Sequence, residues 1–481
     1  MGTKPAQNVH FTKIRNGFHQ QIPRASVRLQ YLPSPDFIEF APQLSLITND
    51  GSPLTLAVAE KLQQAGNQVV ILNLPFVNNF ALPSHFKTIN LESANDLGAK
   101  QAIEKLNYFG KIGNFIHLNP HFANSKNLGQ HFETETNLLK TVFSLAKHLS
   151  KPLNESGKTS RTNFLTISRI DGNLGLKNAN SSVFAGGLSG IVKCINIEWQ
   201  SVFCRAVDID PKNAISQASE QIFAELHDSN LQIIEVAYQG NLRQTLIAKR
   251  EILQENVEKN SKITTKSVFL VSGGAKGVTA DCVLKMAEVY QCKFILLGRS
   301  SNDFAEPTWA KGITSEADLK KLAMQDLISK GEKPTPILVQ KAVNQVVAKR
   351  EIDESLQAIR NFGSQVEYLA VDVLNADSIK NMLPKAVQKL GNITGIIHGA
   401  GRLADKLIDN KTDSDFEAVY TVKVKGLLNL LDCVDIKEMQ QIVLFSSVAG
   451  FFGNTGQTDY SMANEILSKS AHFLKNHYPN L

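Results

Sequence analysis

The sequence predicts an α/β chain folded as two doubly wound parallel sheets, the N-terminal one degenerate and the C-terminal one built to hold a cofactor. Three observations predict it. Short apolar, β-branched runs alternate with amphipathic helical stretches along most of the chain, the pattern of strand–helix–strand units laid around parallel sheets. The alternation occurs as two series that divide near residue 260. A glycine-rich turn between strand and helix, Ser272-Gly273-Gly274-Ala275-Lys276-Gly277-Val278-Thr279, heads the second series only.

In chain order, residues 1–40 carry Pro23, Pro33 and Pro35 with little periodicity and read as a linker or edge segment. Residues 41–260 then supply strands at Ser45 to Thr48, Gln68 to Leu72, Phe115 to Leu118 and Phe164 to Ile167, with helices at Leu54 to Ala65 and Glu133 to Leu149. The first turn of this series, Asn49-Asp50-Gly51-Ser52-Pro53, lacks a glycine cradle and places proline where a phosphate would want a free N–H. Phe184 opens the stretch Phe184-Ala185-Gly186-Gly187-Leu188 with no hydroxyl, where the second series has Tyr460. This half therefore reads as a degenerate copy.

Residues 261–481 begin with the buried run Val268 to Val271, the glycine turn and a helix reaching about Tyr290, a Rossmann-like opening. Lys293 to Leu297 is the next strand, followed by Gly298-Arg299-Ser300. An insertion over 301–362 is far longer than an ordinary α/β connection. Ser315 to Gly331 and Pro336 to Phe362 carry helical periodicity, so the insertion reads as a helical packing element. Val366 to Val371 is a strand ending at Asp372-Val373, and Ile396-Ile397 leads into His398-Gly399-Ala400-Gly401. Gln441 to Phe445 reads as a buried strand, with Ser447 at its C-terminal end, where ligands bind in open parallel sheets. Gly450, Gly453 and Gly456 read as a flexible loop. Tyr460 opens a helix marked by Ala463, Ile466, Leu467, Ala471 and Leu474, which carries Asn464 one turn along the same face. The chain stops at Leu481, so the second sheet is expected to end one or two strands short, with an exposed edge at 441–445.

Composition bounds the function. With 481 residues, 43% of them hydrophobic, the chain can bury more than one core. The net charge of +6 is spread among interleaved acids and bases, too diffuse for nucleic-acid binding and compatible with an anionic cofactor or an acidic carrier protein. Five cysteines, Cys194, Cys204, Cys282, Cys292 and Cys433, have no metal-ligand spacing, and their odd number suits the reducing cytoplasm. No run approaches the length of a membrane span.

Ser447, Tyr460 and Asn464 place a hydroxyl, a phenol and an amide around one crevice, as reduction of a carbonyl requires. Hydride addition develops negative charge on the carbonyl oxygen, which needs a hydrogen bond and a proton. A phenol with an ordinary pKa of about 10 gives its proton slowly unless a cation stands beside it. Short-chain dehydrogenases carry that lysine four residues after the tyrosine, where this chain has Asn464. The chain resembles instead the ketoreductase domains of modular polyketide and fatty acid synthases, which exchange the lysine and asparagine positions. The resemblance assigns the lysine to Lys423, in Tyr420-Thr421-Val422-Lys423-Val424-Lys425-Gly426, and matches the family's spacing of about 13 from Ser447 to Tyr460. Lys425 competes, but two residues apart on one helix only one of them can point inward.

The cofactor reading is independent. Glycines at 273, 274 and 277 let backbone approach a pyrophosphate at a helix N-terminus, with Ala275, Lys276 and Val278 in the same turn. Thr279 replaces the last glycine of the short-chain pattern and puts the closest helix–strand contact in question. Arg299, followed by Ser300, stands where an NAD enzyme would have an acid, so NADPH is expected. Asp372-Val373 resembles the family's adenine-contacting pair and His398-Gly399-Ala400 its nicotinamide-side turn, although a structural role for the His398 side chain is favoured. Arg402-Leu403-Ala404-Asp405 resembles a B-type stereocontrol signature that keeps its second acid at Asp405, implying a 3R product. No metal is expected.

Gly187 to Lys193 and Cys204 to Asp208 resemble the structural subdomain that precedes synthase ketoreductases. Glu306-Pro307-Thr308-Trp309-Ala310-Lys311-Gly312-Ile313, together with Gly273 to Thr279 and Gly450 to Asn464, closely resembles the ketoreductase of bacterial polyunsaturated fatty acid synthases. The resemblance implies a β-ketoacyl chain linked through phosphopantetheine to an acyl carrier protein, inside a larger multidomain enzyme. A noncatalytic NADPH-binding scaffold is the alternative. A sugar-nucleotide epimerase is disfavoured, because it would carry lysine at 464.

Overall fold

The structure, a computed structural model, describes residues 24–123, 127–177, 180–251 and 262–481. The first series runs β1 (Arg24–Tyr31), β2 (Leu44–Thr48), α1 (Pro53–Gln64), β3 (Gln68–Asn73), β4 (Lys87–Asn90), α2 (Asp96–Leu106), β5 (Ile112–Leu118), α3 (Phe132–Gly157), β6 (Asn163–Ser168), α4 (Gly187–Glu198), β7 (Phe203–Ile209), α5 (Ile215–Leu226), β8 (Glu235–Gln239) and β9 (Leu242–Glu251). Its nine strands lie in the order β1-β9-β8-β7-β6-β5-β2-β3-β4, parallel except where β9 meets β1 and β8. β2, β5, β6 and β7 are buried along their whole length, as strands covered on both faces of a parallel sheet are. The segment expected to be linker or edge contains β1, an exposed edge strand. The expected division near residue 260 and Pro23 lie outside the described residues. Pro53, read as hostile to a phosphate, is the first residue of α1, with Ser52 as its N-cap.

The second series runs β10 (Val268–Ser272), α6 (Gly277–Tyr290), β11 (Lys293–Gly298), α7 (Glu316–Ser329), α8 (Pro336–Asn361), β12 (Val366–Ala370), α9 (Ala376–Leu390), β13 (Gly395–His398), α10 (Asp413–Leu431), β14 (Gln441–Leu444), α11 (Val448–Phe452) and α12 (Thr458–His477). Its five strands are all parallel, in the order β12-β11-β10-β13-β14. Chain direction across the sheet reverses between β10 and β13, and a doubly wound sheet opens its ligand crevice there, outside the strands' carboxyl ends.

Two expectations are corrected. The strand at 441–445 is not buried: among the described residues β14 pairs only with β13, which leaves the exposed edge expected there, and Val443 is 41% exposed. Nor are the three late glycines one flexible loop. Gly450 lies inside α11, packed against Asn464, whereas Gly453 and Gly456 take φ of +75° and +77°, a left-handed conformation that glycine reaches without strain.

The insertion has its own small core of Ala310, Leu319, Ala323, Val343 and Val346. Ser315 caps α7 and Thr335 caps α8, each accepting a backbone N–H from the first turn of its helix. The later half of α8 continues onto the sheet, where Ile352, Leu356 and Ile359 pack with Phe269, Val271 and Phe294.

The two series share one core. Phe416, Tyr420, Met462 and Ile466 of the second are buried with Leu139, Phe143, Leu188 and Ile191 of the first, and the Phe143 and Phe416 rings lie 5.1 Å apart. α4 and α12 meet face to face at glycine. A methyl group at Gly190 would stand 2.6 Å from the Met462 backbone nitrogen, so only glycine permits this approach. Each apolar side chain so buried contributes roughly 1.5–3 kcal/mol. Among the described residues, no helix is long and apolar enough to cross a membrane, and no cluster of His, Cys, Asp and Glu is suited to a metal ion.

Candidate active site

The chain leaves β14 through Phe445, whose backbone N–H bonds the His398 carbonyl. Two serines follow with different fates. Ser446 Oγ donates to the Asn464 carbonyl at 3.0 Å and is turned into the helix packing. Ser447 is the N-cap of α11: its Oγ accepts from the Ala449 N–H at 3.1 Å, which leaves its own proton for another acceptor.

Tyr460 sits half-buried in the first turn of α12. Lys423 projects from α10 with its Nζ 5.3 Å from the centre of the Tyr460 ring and donates to the Phe445 carbonyl at 2.9 Å. Burial pushes the Lys423 ammonium down to about 8, because the charged form has lost most of its water. Lys425 is turned elsewhere and lines a separate groove with Asn127 and Thr134, which decides between the two lysines. Asn464 is wholly buried. Its Nδ2 donates to the Tyr460 carbonyl at 2.7 Å, while its Oδ1 has no partner, an orphaned acceptor inside the site.

At the other end of the crevice, Gly273 takes φ of +73° and Gly277 φ of +58°. Nothing stands within 4 Å of where a Cβ on Gly277 would be, so the turn leaves room directly at the N-terminus of α6, whose free N–H groups suit an anion. A pyrophosphate fits this turn. Lys276 instead pairs with Glu351 of α8 at 2.8 Å, Ala275 is buried and Val278 is 69% exposed. The loss of glycine at 279 is compensated from the facing turn, since a side chain on Gly399 would overlap Thr279. The close contact survives with the glycine on the opposite partner.

Ser272 Oγ donates to His398 Nδ1 at 2.7 Å and accepts the Ala400 N–H at 3.2 Å, while His398 Nε2 donates to the Lys423 carbonyl at 2.8 Å. The His398 ring is fully buried and pushed down to about 4, so it is neutral, with its proton on Nε2. The side chain braces β10, β13 and α10 together, and only the backbone of Gly399 and Ala400 remains to face a ligand. Val373 is also buried, its carbonyl held by Asn429 Nδ2 at 2.9 Å, and Asp372 Oδ1 caps the Leu374 N–H at 3.0 Å.

Arg299 and Ser300 line a cavity of about 1100 Å³ together with Phe304, Gln340, Lys341 and Asn344 of the insertion. Arg299 is exposed. This cavity lies at the carboxyl end of β11 rather than beside Tyr460, so the insertion, read as packing alone, also walls the Arg299 end of the crevice.

Several contributors escaped the sequence reading. Lys411, wholly buried, donates to Asp459 Oδ1 at 2.6 Å and to the Ala404 carbonyl at 2.9 Å, tying the loop before Asp405 to the residue before Tyr460. Burial lifts the Asp459 carboxyl above its ordinary range although Lys411 faces it. Gln457 Nε2 donates to Asp405 Oδ2 at 3.0 Å. Lys193 of α4 donates to the Gly450 carbonyl at 3.2 Å and pairs with Glu465 of α12 at 2.9 Å. Nothing local marks such pairs, because the partners come from elements far apart in the chain. The arrangement sets a phenol beside a buried cation, with the Ser447 hydroxyl at the end of the adjoining strand.

Comparison with known proteins agrees with this geometry. Residues 267–478 match the KR domain family. A polyunsaturated fatty acid synthase polypeptide of a Thraustochytrium species is 34% identical over 442 residues, covering 88% of this chain and 15% of that protein. A 3-oxoacyl-(acyl-carrier-protein) reductase of Thermotoga maritima is 32% identical over 119 residues, 24% of this chain and 48% of that protein. The chain thus spans well under two thirds of either relative. Among solved structures, an N-terminal ketoreductase from the macrolactin assembly line superposes with a TM-score of 0.65 at 16% identity, covering 94% of this chain and 81% of that one.

Proposed function

Because residues 267–478 match the KR domain family and the chain is homologous to part of a polyunsaturated fatty acid synthase, we propose that it catalyses NADPH-dependent reduction of a β-ketoacyl thioester to the β-hydroxyacyl thioester. The substrate would be carried on the phosphopantetheine arm of an acyl carrier protein, within a multidomain synthase of the cytoplasm. The observation that carries the reading is the buried Lys423 ammonium beside the Tyr460 ring, on the crevice that Ser447 borders. A buried cation without a paired carboxylate is costly, and such an arrangement persists where it does chemical work.

Bound NADPH would supply the hydride. The turn from Gly273 to Val278 and the α6 N-terminus would hold its pyrophosphate, Arg299 and Ser300 its 2′-phosphate, Asp372 and Val373 its adenine, and the Gly399-Ala400 backbone its nicotinamide side. Ser447 O–H donates a hydrogen bond to the ketone oxygen, and Tyr460 O–H gives that oxygen its proton as negative charge develops. Lys423 lowers the cost of the phenolate left behind. Asn464 holds the first turn of α12 through the Tyr460 carbonyl and presents its free Oδ1 to the site. Leu403 and Leu407, exposed on the loop after β13, and Val448 and Phe452, exposed on α11, offer the apolar surface an acyl chain needs. Asp405 marks the stereocontrol loop, and the product is assigned the 3R configuration.

The test is NADPH oxidation by the chain with a β-ketoacyl N-acetylcysteamine thioester, followed by chiral chromatography. Turnover to mainly the 3R alcohol is expected. A mainly 3S product refutes the stereochemical assignment, and tight NADPH binding with no turnover would make the domain a scaffold. For the cofactor, Arg299→Asp is expected to weaken NADPH binding about tenfold or more while NADH binding changes little, since only the 2′-phosphate meets the reversed charge. Fluorescence titration with both nucleotides measures it, and an unchanged preference would show that Arg299 faces elsewhere.

A further inference from the structure

We propose that Glu198, at the C-terminal end of α4 in the half of the chain that lacks the tyrosine, is a positioning residue that latches together the two loops at the mouth of the site. Its Oε1 accepts the Gly456 N–H and its Oε2 the Ile408 N–H, both at 2.9 Å. One loop carries Leu403, Asp405 and Leu407; the other follows α11, which bears Val448 and Phe452, and leads through Gly456 into Tyr460. The loops also touch directly, Lys406 N–H to the Gly456 carbonyl and Gln457 Nε2 to Asp405 Oδ2, each at 3.0 Å.

Other α4 side chains grip one loop only. Lys193 holds the Gly450 carbonyl, and Cys194 Sγ accepts the Asn454 N–H at 3.4 Å. Glu198 alone on this helix engages both loops and spends both carboxylate oxygens doing so. Its position makes this costly, since a helix C-terminus already bears partial negative charge and disfavours a carboxylate. Two backbone N–H donors from separate loops supply the compensation. The latch therefore sets the spacing between Leu403 and Leu407 on one lip and Val448 and Phe452 on the other, and so how an apolar acyl chain is seated relative to Tyr460. This role rests on the ketoreductase reading above.

The experiment compares wild type with Glu198→Ala and Glu198→Gln, the latter keeping the size and one acceptor. Measured are kcat and KM for the β-ketoacyl N-acetylcysteamine thioester, the enantiomer ratio of the product, the Kd for NADPH, and amide exchange followed by mass spectrometry. Glu198→Ala is expected to lose about tenfold or more in kcat/KM and to erode the enantiomer ratio, because small misplacements of reacting groups are expensive. Glu198→Gln should fall between. The NADPH Kd should hold in both, since the cofactor turn is braced separately by Ser272 and His398. Exchange should quicken at 403–408 and 454–457 but not at 272–278. A general loss of stability would quicken exchange everywhere and would overturn the proposal, as would variants matching wild type in enantiomer ratio and kcat/KM. If Glu198→Ala does not fold, Glu198→Gln decides alone. If wild type reduces no thioester, the ketoreductase reading fails, and the exchange pattern by itself upholds or overturns the latch.

Discussion

Replacing Tyr460 by phenylalanine is expected to lower reduction of a β-ketoacyl thioester by about 10²-fold or more while leaving NADPH binding nearly intact. The variant removes one oxygen atom from a half-buried ring whose fold contacts are made by its backbone: its N–H bonds Asp459 Oδ1 at 2.8 Å and its carbonyl accepts from Asn464. Neither contact uses the phenol, so α12 should keep its place. The glycine turn and Arg299 lie at the other end of the crevice, so cofactor affinity should not follow the loss of turnover. Titrating NADPH by fluorescence alongside steady-state assays separates the two, and a fully active phenylalanine variant would remove Tyr460 from the mechanism.

Lys423→Met is expected to cost on the order of 10²-fold in kcat, and its pH profile should change shape as well as height. In the wild type, burial holds the ammonium down to about 8. The cation is present below that pH and disappears above it, so kcat/KM should fall on the alkaline side as pH rises through about 8. Methionine keeps most of the side-chain volume but cannot titrate. The variant should therefore be slow at neutral pH and lack that alkaline limb. A variant retaining the limb would assign it to another group. The lost hydrogen bond to the Phe445 carbonyl is the structural cost, and a melting curve run in parallel measures it.

The order of residue types along one stretch of chain was enough to single out the candidate site. Ser447, Tyr460 and Asn464 lie on one strand end, loop and helix, so their spacing is itself a statement about geometry. The glycine turn before α6 was legible for the same reason, since a positive φ at Gly273 and Gly277 is a property of single residues. The insertion helices at 316–329 and 336–361 also fell where Ser315, Thr335 and Pro336 mark helix starts. Where the expectation failed, the deciding partner was remote. β14 has the composition of a buried strand, but its exposure depends on which strands pair with it. Thr279 looked like a defect until Gly399, from a different strand, was seen to make the room.

By itself, then, the sequence determined what can be encoded within one or two turns of chain: the strand–helix alternation, the glycine turn before α6, the hydroxyl–phenol–amide triplet and the absence of a glycine turn and a matching tyrosine in the first half. Only the tertiary structure decided which of Lys423 and Lys425 meets Tyr460 and that the His398 ring is spent on bracing rather than binding. It also brought Lys411 to Asp459, and Glu198 to the Ile408 and Gly456 amides, across long stretches of chain. The physical reason is one of range. Backbone conformation follows from local sterics and hydrogen bonding, whereas burial, ion pairing and a displaced ionisation belong to groups that meet only when distant segments pack, with their water removed.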